Sequence, residues 1–387
     1  MFAERTKWNL APNPLSEALA ALRSTTKPLF DLTMSNPTEC GFRYANDAIL
    51  AALSNVAALR YEPNPRGMAS ARSAVAGYYA ERGGQVPVDD ILLTTGTSEA
   101  YSFVFRLLCN PGDNLLIPAP SYPLLDFLAD IHDVRLVHYP LLYDYGWQID
   151  FHELEKRIDA RTRAIVVVHP NNPTGHFTGV VGAKRLSQIC AAHEIALIAD
   201  EVFLDFVLGE KAPLSFATNS DALAFTMSGI SKISGLPQMK AAWLAVSGPS
   251  ELKAHALARL EVIADTYLSM NAPIQLALPA FLEKRHPFQE QLMTRVRKNL
   301  SEMDRQLASQ DACSRLVIEG GWYLVIRLPS SCNDGEFAVN LLRSQGVYVH
   351  PGHFYDFSDS HHVVVSLITP EEHFSEGVRR LLSQANG

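Results

Sequence analysis

The chain has 387 residues, of which 47% are hydrophobic and 19% are charged, and its formal net charge is −8. This composition excludes a disordered chain, and the length is enough for about two to three compact units. With 33 basic against 41 acidic residues and no long run of one sign, the sequence excludes the electrostatic surface that a nucleic-acid-binding protein needs. A phosphate-bearing small molecule would have to be held by a local site.

The five cysteines are far apart and never form a CxxC pair, which argues against a disulfide framework or a metal site of the zinc type. The first residues, MFAERTKWNLAPNP, lack the apolar run of a signal peptide. No stretch approaches the roughly 18 apolar residues that a membrane helix needs. We therefore expect a cytoplasmic protein without membrane attachment.

Apolar helices alternate with short strands from about residue 45 to residue 245. Several of the strands are continuous β-branched runs, as is typical of strands that are covered on both faces. The predicted strands are ILLT at 91, NLLI at 114, VRLVHY at 134, RAIVVVH at 163, ALIAD at 196, ALAFTM at 222 and AAWLAV at 241. This order predicts a doubly wound α/β fold with a largely parallel sheet.

A different arrangement follows residue 250, where long helical stretches give way to strand, strand, helix, strand, strand and helix. The strands are RLVIE at 315, WYLVIRL at 322, VYVH at 347 and HVVVSLI at 362. They predict a smaller α+β domain that the N-terminal segment completes. We expect a large domain over residues 45–285 and a small domain formed by residues 1–44 and 286–387.

The loops at the carboxyl ends of parallel strands are where an α/β sheet carries its function. In TTGTSEAYSF, Thr97 and Ser98 open a helix, which favours a phosphate site at its N-terminus, although an ordinary N-cap is the simpler interpretation. In VVVHPNNPTGHF, Asn171 and Asn172 follow a buried strand, where they could bind a ligand or only form a turn.

Two further loops carry charged residues. Asp200 and Glu201 end the strand in ALIADEVFLDF, where a carboxylate could pair with a protonated pyridine nitrogen or act as a helix cap or a surface acid. Lys232 and Lys240 lie in the glycine-rich segment MSGISKISGLPQMKAAW. A buried lysine there could form a Schiff base, whereas most loop lysines are solvated surface charges.

Taken together, NNPTG at 171, DEVF at 200 and SGISK at 228 resemble the fingerprint of fold-type I pyridoxal phosphate enzymes, specifically the class I/II aminotransferase family. The resemblance extends from SNPTECGF near residue 35 to VVVSLITPEEHF near residue 375. It implies a large domain with a mixed, mostly parallel seven-stranded sheet between helices, and a smaller α+β domain.

The resemblance also implies roles for individual residues. Lys232 would form the Schiff base with pyridoxal 5'-phosphate and move the proton between the substrate Cα and the cofactor. Asp200 would pair with the pyridine nitrogen, and Asn172 would donate to the phenolic oxygen and to the substrate carboxylate. The phosphate ligands would be Thr97, Ser98, Ser231 and Lys240.

Two tyrosines complete the implied cofactor site. Tyr122 in PAPSYPLL resembles the aromatic residue that stacks on the cofactor ring. Tyr61 in RYEPNPRG resembles the tyrosine that reaches the phosphate of the other subunit, which implies a homodimer with its sites at the subunit interface. His353, in VHPGHFYDF, is a candidate substrate contact or a solvent-exposed loop histidine.

The sequence departs from the family pattern at two cofactor positions. Phe203 stands where the family has a tyrosine that bonds the phenolic oxygen, so the Schiff base should lose a donor and its pKa should rise. Lys240 stands where an arginine usually binds the phosphate, so that a point charge replaces a bidentate fork.

A third departure concerns the substrate. Two residues before Ser366, the family has an arginine that grips the substrate α-carboxylate, and this chain has Val364. Either another cation, such as Arg43, Arg66 or Arg327, takes its place, or the substrate lacks an α-carboxylate.

The predicted function is that of a pyridoxal-phosphate-dependent aminotransferase, which moves an amino group from an amino donor to a 2-oxo acid. A carbon–sulfur β-lyase or a decarboxylase on the same scaffold is the alternative, because the fold does not fix which bond at Cα breaks. A non-catalytic protein that retains the cofactor loops is a third possibility.

Overall fold

The structure, a computed structural model, describes residues 1–209, 213–268 and 270–386. The strands are β1 (Phe30–Asp31), β2 (Ile91–Thr94), β3 (Asn114–Ala119), β4 (Arg135–Tyr143), β5 (Trp147–Ile149), β6 (Thr162–Val168), β7 (Ala196–Asp200), β8 (Ala224–Gly229), β9 (Ala242–Ser247), β10 (Ser314–Arg315), β11 (Tyr323–Arg327), β12 (Val347–Tyr348), β13 (His350–Pro351) and β14 (His362–Ser366).

The helices begin and end as follows: α1 (Pro14–Arg23), α2 (Asn46–Leu53), α3 (Ala69–Glu81), α4 (Thr97–Leu108), α5 (Leu124–Ile131), α6 (Phe151–Lys156), α7 (Val180–Ala192), α8 (Ile230–Ile233), α9 (Ser250–Tyr267), α10 (Ala272–Glu283), α11 (His286–Leu307), α12 (Asp334–Gln345) and α13 (Glu371–Ala385). Short 3-10 turns connect several of them.

The local sequence explains where several helices begin and end. The side chain of Asn13 accepts a hydrogen bond from the Ser16 backbone N–H at the start of α1, and Pro14 occupies the first helical position, where its missing N–H costs nothing. At the other end of the chain, α12 ends at Gly346, whose φ of 68° is the left-handed conformation that glycine adopts most easily.

The large sheet has, within the described residues, eight strands in the order β2-β9-β8-β7-β6-β3-β4-β5. The central pairs β8–β7, β7–β6, β6–β3 and β3–β4 are parallel, whereas β9 runs antiparallel to both of its neighbours. All seven predicted strands lie in this sheet, so the α/β fold with a mixed, mostly parallel sheet is confirmed. The eighth strand, β5, forms an edge hairpin with β4 and was not predicted.

Alternate residues of the central strands point to opposite faces of the large sheet, as the pleat requires. On β6, Ile165 and Val167 pack in one buried cluster with Leu197, while Ala164 and Val166 pack in another with Ile198. Each face is covered by helices, since α4 and α9 contribute to the second cluster and α7 to the first. This double burial explains why these strands are continuous apolar runs in the sequence.

A second, antiparallel sheet has the order β10-β11-β14-β13. The N-terminal segment reaches this part of the molecule, because β1 pairs in parallel with β12 through Phe30 and Val347. The buried cluster around this sheet includes Trp322 and Phe374, and it also takes in Phe203 and Phe206 from the loop after β7. The end of a large-sheet strand is thereby packed against the second sheet.

Candidate active site

One cavity of about 280 Å³ lies at the carboxyl edge of the large sheet. Because β6, β7 and β8 are neighbouring parallel strands, the residues that follow them meet at the same edge. The predicted residues in its wall are Thr97, Ser98, Tyr122, Asn172, Asp200, Ser231 and Lys232. The fold therefore brings together side chains from segments that are up to 135 positions apart in the sequence.

Lys232 lies on the single turn of α8, directly after β8. Its Nζ lies 5.1 Å from the ring centroid of Trp322 and 5.7 Å from that of Phe203. Burial lowers the pKa of Lys232 to about 8, although the nearby charge of Asp200 opposes this effect. About a tenth of this amine is therefore uncharged at pH 7, far more than for an ordinary lysine, and only the uncharged form is a nucleophile.

Asp200 is the last residue of β7. Burial raises the pKa of its carboxyl to about 6, while hydrogen bonds from the Val202 backbone N–H and the Tyr101 hydroxyl oppose the rise. Both donors lie 3.2 Å from the carboxylate oxygens. Among the described residues Asp200 has no ion-pair partner within 4.0 Å, so this buried acid is suited to pair with a cationic group of a ligand.

The Asn-Pro-Thr-Gly loop after β6 is held by its own hydrogen bonds. The Asn171 side chain donates to the Pro120 carbonyl and to the Thr174 hydroxyl, both at 3.0 Å, and the Gly175 N–H donates to the Asn171 carbonyl at 2.7 Å. Gly175 has a φ of 67°, and a Cβ there would lie 2.6 Å from the Gly320 carbonyl oxygen. A side chain is therefore excluded at this position.

Asn172 is buried at the cavity wall. Unlike the side chain of Asn171, its side chain makes no hydrogen bond to the described residues. A buried amide without a partner costs free energy unless a ligand satisfies it. The rigid loop thus presents a free donor and a free acceptor to whatever occupies the cavity.

The N-terminus of α4 also opens on the cavity. Its cap residue, Gly96, has no side chain to bond the first N–H groups. The nearby carboxylate of Glu99 does not cap them, since it accepts from the Thr95 N–H at 2.7 Å instead. The free N–H groups and the hydroxyls of Thr97 and Ser98 are arranged so that they could bind an anion, which the helix dipole would favour.

Two predicted cofactor ligands lie outside the cavity wall. Lys240 is exposed and has a left-handed backbone conformation with a φ of 52°. Tyr61 is 81% exposed and belongs to a loop before α3. Neither residue contributes to the site within one chain.

Several cavity residues were missed in the sequence. Ser35, Tyr101, Tyr323, His350 and Tyr355 all contribute to the wall. Ser35 lies in the loop after β1, Tyr101 on α4, Tyr323 on β11, His350 on β13 and Tyr355 on the turn that follows β13. His350 and Tyr355 lie in the same segment as His353, VHPGHFYDF, which is the signal by which they could have been found.

His353 itself is not in the cavity wall. Its side chain is more than half exposed, and its Nδ1 lies 3.0 Å from a carboxylate oxygen of Asp334. The prediction of a substrate contact at His353 is thus not supported by its position.

Val364, which stands where the family has an arginine, is buried in an apolar cluster with Leu316, Val325 and Tyr355. The three arginines considered as replacements do not line the cavity. Arg66 forms an ion pair with Glu261 at 2.7 Å, Arg327 stacks on the Tyr143 ring, and Arg43 is exposed. Lys232 is the only lysine or arginine in the wall among the described residues.

The described part of the chain contains neither a candidate metal site nor a candidate membrane span. No group of three or more His, Cys, Asp or Glu side chains is arranged to hold a metal ion. No helix of that part combines the length and the apolarity needed to cross a membrane.

Known proteins are similar to this chain in sequence. The chain is 28% identical over 381 residues to an alanine aminotransferase of Mycobacterium tuberculosis, covering 95% of this chain and 88% of the relative. It is 28% identical over 271 residues to the glutamate-pyruvate aminotransferase AlaA of Escherichia coli, covering 70% of this chain and 67% of the relative.

Solved structures agree with this similarity. An aminotransferase from Escherichia coli superposes with a TM-score of 0.89 at 23% identity, over 100% of this chain and 98% of the other. An alanine aminotransferase from Pyrococcus furiosus superposes with a TM-score of 0.90 at 22% identity, over the full length of both chains. At these identities the structures establish the fold.

The family itself is established by a whole-chain match. The model of the family described as aminotransferase class I and II matches residues 32–381, which include both sheets and the cavity between them. The resemblance seen in the motifs is thus confirmed, and the chain belongs to the class I and II aminotransferases and is an aminotransferase.

Proposed function

We propose that this aminotransferase binds pyridoxal 5'-phosphate covalently through Lys232 and moves an amino group between an amino donor and a 2-oxo acid. The observation that carries the proposal is the convergence of Lys232, Asp200 and Asn172 with an open helix N-terminus on one cavity. Each feature is common by itself, but together they match the distinct chemical groups of one cofactor.

The residues fit this cofactor group by group. The open N-terminus of α4, with Thr97, Ser98 and Ser231, suits a phosphate. Asp200, buried without a cation, suits a protonated ring nitrogen, and the unpaired amide of Asn172 suits a phenolic oxygen. Tyr122 provides an aromatic face, and Lys240 lies on the loop that follows Lys232.

When bound, the cofactor supplies an electron sink that stabilises negative charge at the substrate Cα. The protein supplies the proton transfer, since Lys232 Nζ, with a pKa of about 8, can accept a proton from Cα and return it near neutral pH. Trp322 and Phe203 cover this amine and restrict water. Asp200 holds the positive charge of the ring, and Asn172 orients it.

We also propose that the enzyme is a homodimer in which Tyr61 reaches the phosphate of the partner subunit. Four large apolar side chains of α2 and the following loop support this proposal, because they are exposed in the single chain: Leu50, Val56, Leu59 and Tyr61. An exposed apolar patch of this kind is typical of an interface.

We further propose that residues 45–285 form a large domain and that residues 1–44 and 286–387 form a small one. The pairing of β1 with β12 supports this division, because it joins the N-terminal segment to the C-terminal part of the chain.

The names of the relatives suggest the substrates. We propose alanine or glutamate as the amino donor and pyruvate as an acceptor, because the relatives are an alanine aminotransferase and a glutamate-pyruvate aminotransferase. We place the enzyme in the cytoplasm, and the five cysteines, which are all free thiols, support a reducing compartment.

An absorbance experiment tests this function. The purified protein is mixed with pyridoxal phosphate, and spectra are recorded before and after amino acids are added, with Lys232→Ala as the control. We expect a visible band in the wild type only, its loss on adding a donor, and its return on adding pyruvate. A band that persists in Lys232→Ala, or release of pyruvate with ammonia from an amino acid, would contradict the proposal.

A further inference from the structure

The cavity must accept a carboxylate without a guanidinium group. An aminotransferase that uses 2-oxo acids binds a carboxylate in every turnover, and Lys232 is the only lysine or arginine in the wall among the described residues. Lys232 is committed to the cofactor and to proton transfer in the proposed function, on which this inference rests. Among the described residues of this chain, only uncharged donors are left to hold the carboxylate.

We propose that His350, oriented by Tyr355, binds the substrate α-carboxylate through its Nε2–H as an uncharged hydrogen-bond donor. His350 lies directly opposite Val364 in the antiparallel pair of β13 and β14. Directly opposed residues of such a pair point to the same face, with their Cβ atoms about 5 Å apart. The imidazole thus stands beside the position that the family fills with arginine.

Tyr355 fixes the orientation of this imidazole. Its hydroxyl lies 3.0 Å from His350 Nδ1, and both side chains line the cavity. Burial raises the pKa of the Tyr355 phenol well above its ordinary value, so the phenol keeps its proton and can donate it to Nδ1. The other imidazole nitrogen, Nε2, then carries the ring proton.

The free nitrogen is available to a ligand. His350 Nε2 makes no hydrogen bond to any residue in the described part of the chain, and the ring is otherwise packed against Tyr348, Phe354 and Tyr355. Burial lowers the pKa of His350, partly opposed by the charge of Asp31, so the group is uncharged near neutral pH. The apolar cluster that contains Val364 lies next to His350, because Val364 is the residue paired with His350.

A pair of matched ligands tests this role independently of turnover. 2-Methylalanine has an α-carboxylate but no α-hydrogen, so it binds the loaded enzyme and cannot be transaminated. tert-Butylamine is the same molecule with a methyl group in place of the carboxylate, and it too has no α-hydrogen. Dissociation constants for both are obtained from the change in the cofactor absorbance.

Three variants separate the two nitrogens of the ring. In His350→Asn the amide can replace Nδ1 and keep the bond to Tyr355, but nothing replaces Nε2. In His350→Gln the amide reaches the position of Nε2. His353→Asn, in the same loop but outside the cavity, is the matched control.

We expect His350→Asn to weaken 2-methylalanine binding about tenfold or more, with tert-butylamine changed less than about twofold, since a hydrogen bond to a charged group is lost. His350→Gln should restore part of the affinity, and His353→Asn should alter neither ligand. Tyr355→Phe should weaken 2-methylalanine alone, because Tyr355 acts by positioning the imidazole.

Equal weakening of both ligands in His350→Asn would show a structural role and overturn the proposal, as would unchanged binding of both. Wild-type enzyme that binds tert-butylamine as tightly as 2-methylalanine would also overturn it. Failure of the proposed function would appear earlier, as a wild-type protein without the cofactor band, and would refute both.

Discussion

The hydroxyl of Tyr101 on α4 donates a 3.2 Å hydrogen bond to Asp200 Oδ2 at the end of β7. With the Val202 N–H on the other oxygen, it holds the carboxylate in one orientation. Both bonds favour the charged carboxylate and so offset part of the burial that raises its pKa to about 6. The orientation of the Asp200 carboxylate at the end of β7 thus depends on a residue of α4.

Removing the Tyr101 hydroxyl should weaken cofactor binding. In Tyr101→Phe the pKa of Asp200 should rise further, because one stabilising donor is lost, and we expect the dissociation constant for pyridoxal phosphate to rise about five- to tenfold. Fluorescence titration of the apoenzyme measures it. Tyr139→Phe is the control, since it removes a 2.8 Å bond to the Val166 carbonyl in the same sheet but outside the cavity. Equal affinities in both variants would contradict the role of Tyr101.

The lowered pKa of Lys232 predicts how fast the apoenzyme takes up its cofactor at different pH values. Only the uncharged amine reacts, and with a pKa of about 8 its fraction rises roughly tenfold from pH 7 to pH 9 and then levels off. An ordinary lysine would instead gain about tenfold per pH unit up to its usual pKa near 10.4. Stopped-flow absorbance gives the rate constant. A rate that still climbs several-fold between pH 9 and pH 10 would show that the pKa of Lys232 is not lowered.

Restoring the family tyrosine at position 203 should change the bound cofactor. Phe203 is buried, contacts Trp322 edge to face at 4.9 Å, and lines the cavity near Lys232. A hydroxyl there could donate to the phenolic oxygen and stabilise its charged form, so in Phe203→Tyr the pKa read from the cofactor band should fall by about one unit. A spectral pH titration measures this value.

Phe206→Tyr serves as the matched control, because Phe206 is fully buried near Trp322 but does not line the cavity. It should lower the thermal stability by burying a hydroxyl without a partner and leave the spectral pKa unchanged. A spectral pKa that moves equally in both variants would contradict a specific role for position 203.

The large sheet was predictable because most of its strands have a recognisable local sequence pattern. The β-branched run of β6 is buried on both faces, and nothing but a central strand explains such a run at that length. Strand β5 was missed because three residues, Trp147–Ile149, cannot show a period, and the strand exists only by pairing with β4. Its formation depends on tertiary context.

The residues of the site likewise fall into those that could be predicted from the sequence and those that could not. Asn172, Asp200 and Lys232 follow strands in polar loops and could be found from the sequence. Tyr101 could not, because it lies on the apolar face of α4 and is indistinguishable there from a core aromatic residue. His350 and Tyr355 enter the cavity only through the register of β13 with β14, which no local pattern encodes.

The exposed patch before α3 predicts that the site depends on assembly. Leu59 is 88% exposed in the single chain and lies two residues before Tyr61. A charge at its centre, as in Leu59→Asp, should dissociate the dimer, because desolvating an unpaired carboxylate in an apolar interface is costly. Sedimentation velocity should show a dimer for the wild type and monomer for the variant.

Cofactor affinity should fall together with the dimer, because the partner's tyrosine is lost from the phosphate. Tyr61→Phe should lower the affinity several-fold while the dimer persists, which separates the phosphate contact from assembly. Val181→Asp is the control, since Val181 on α7 is 84% exposed and lies outside this patch. If the Leu59→Asp monomer bound pyridoxal phosphate as tightly as the wild type, the site would be complete within one chain and Tyr61 would have no part in it.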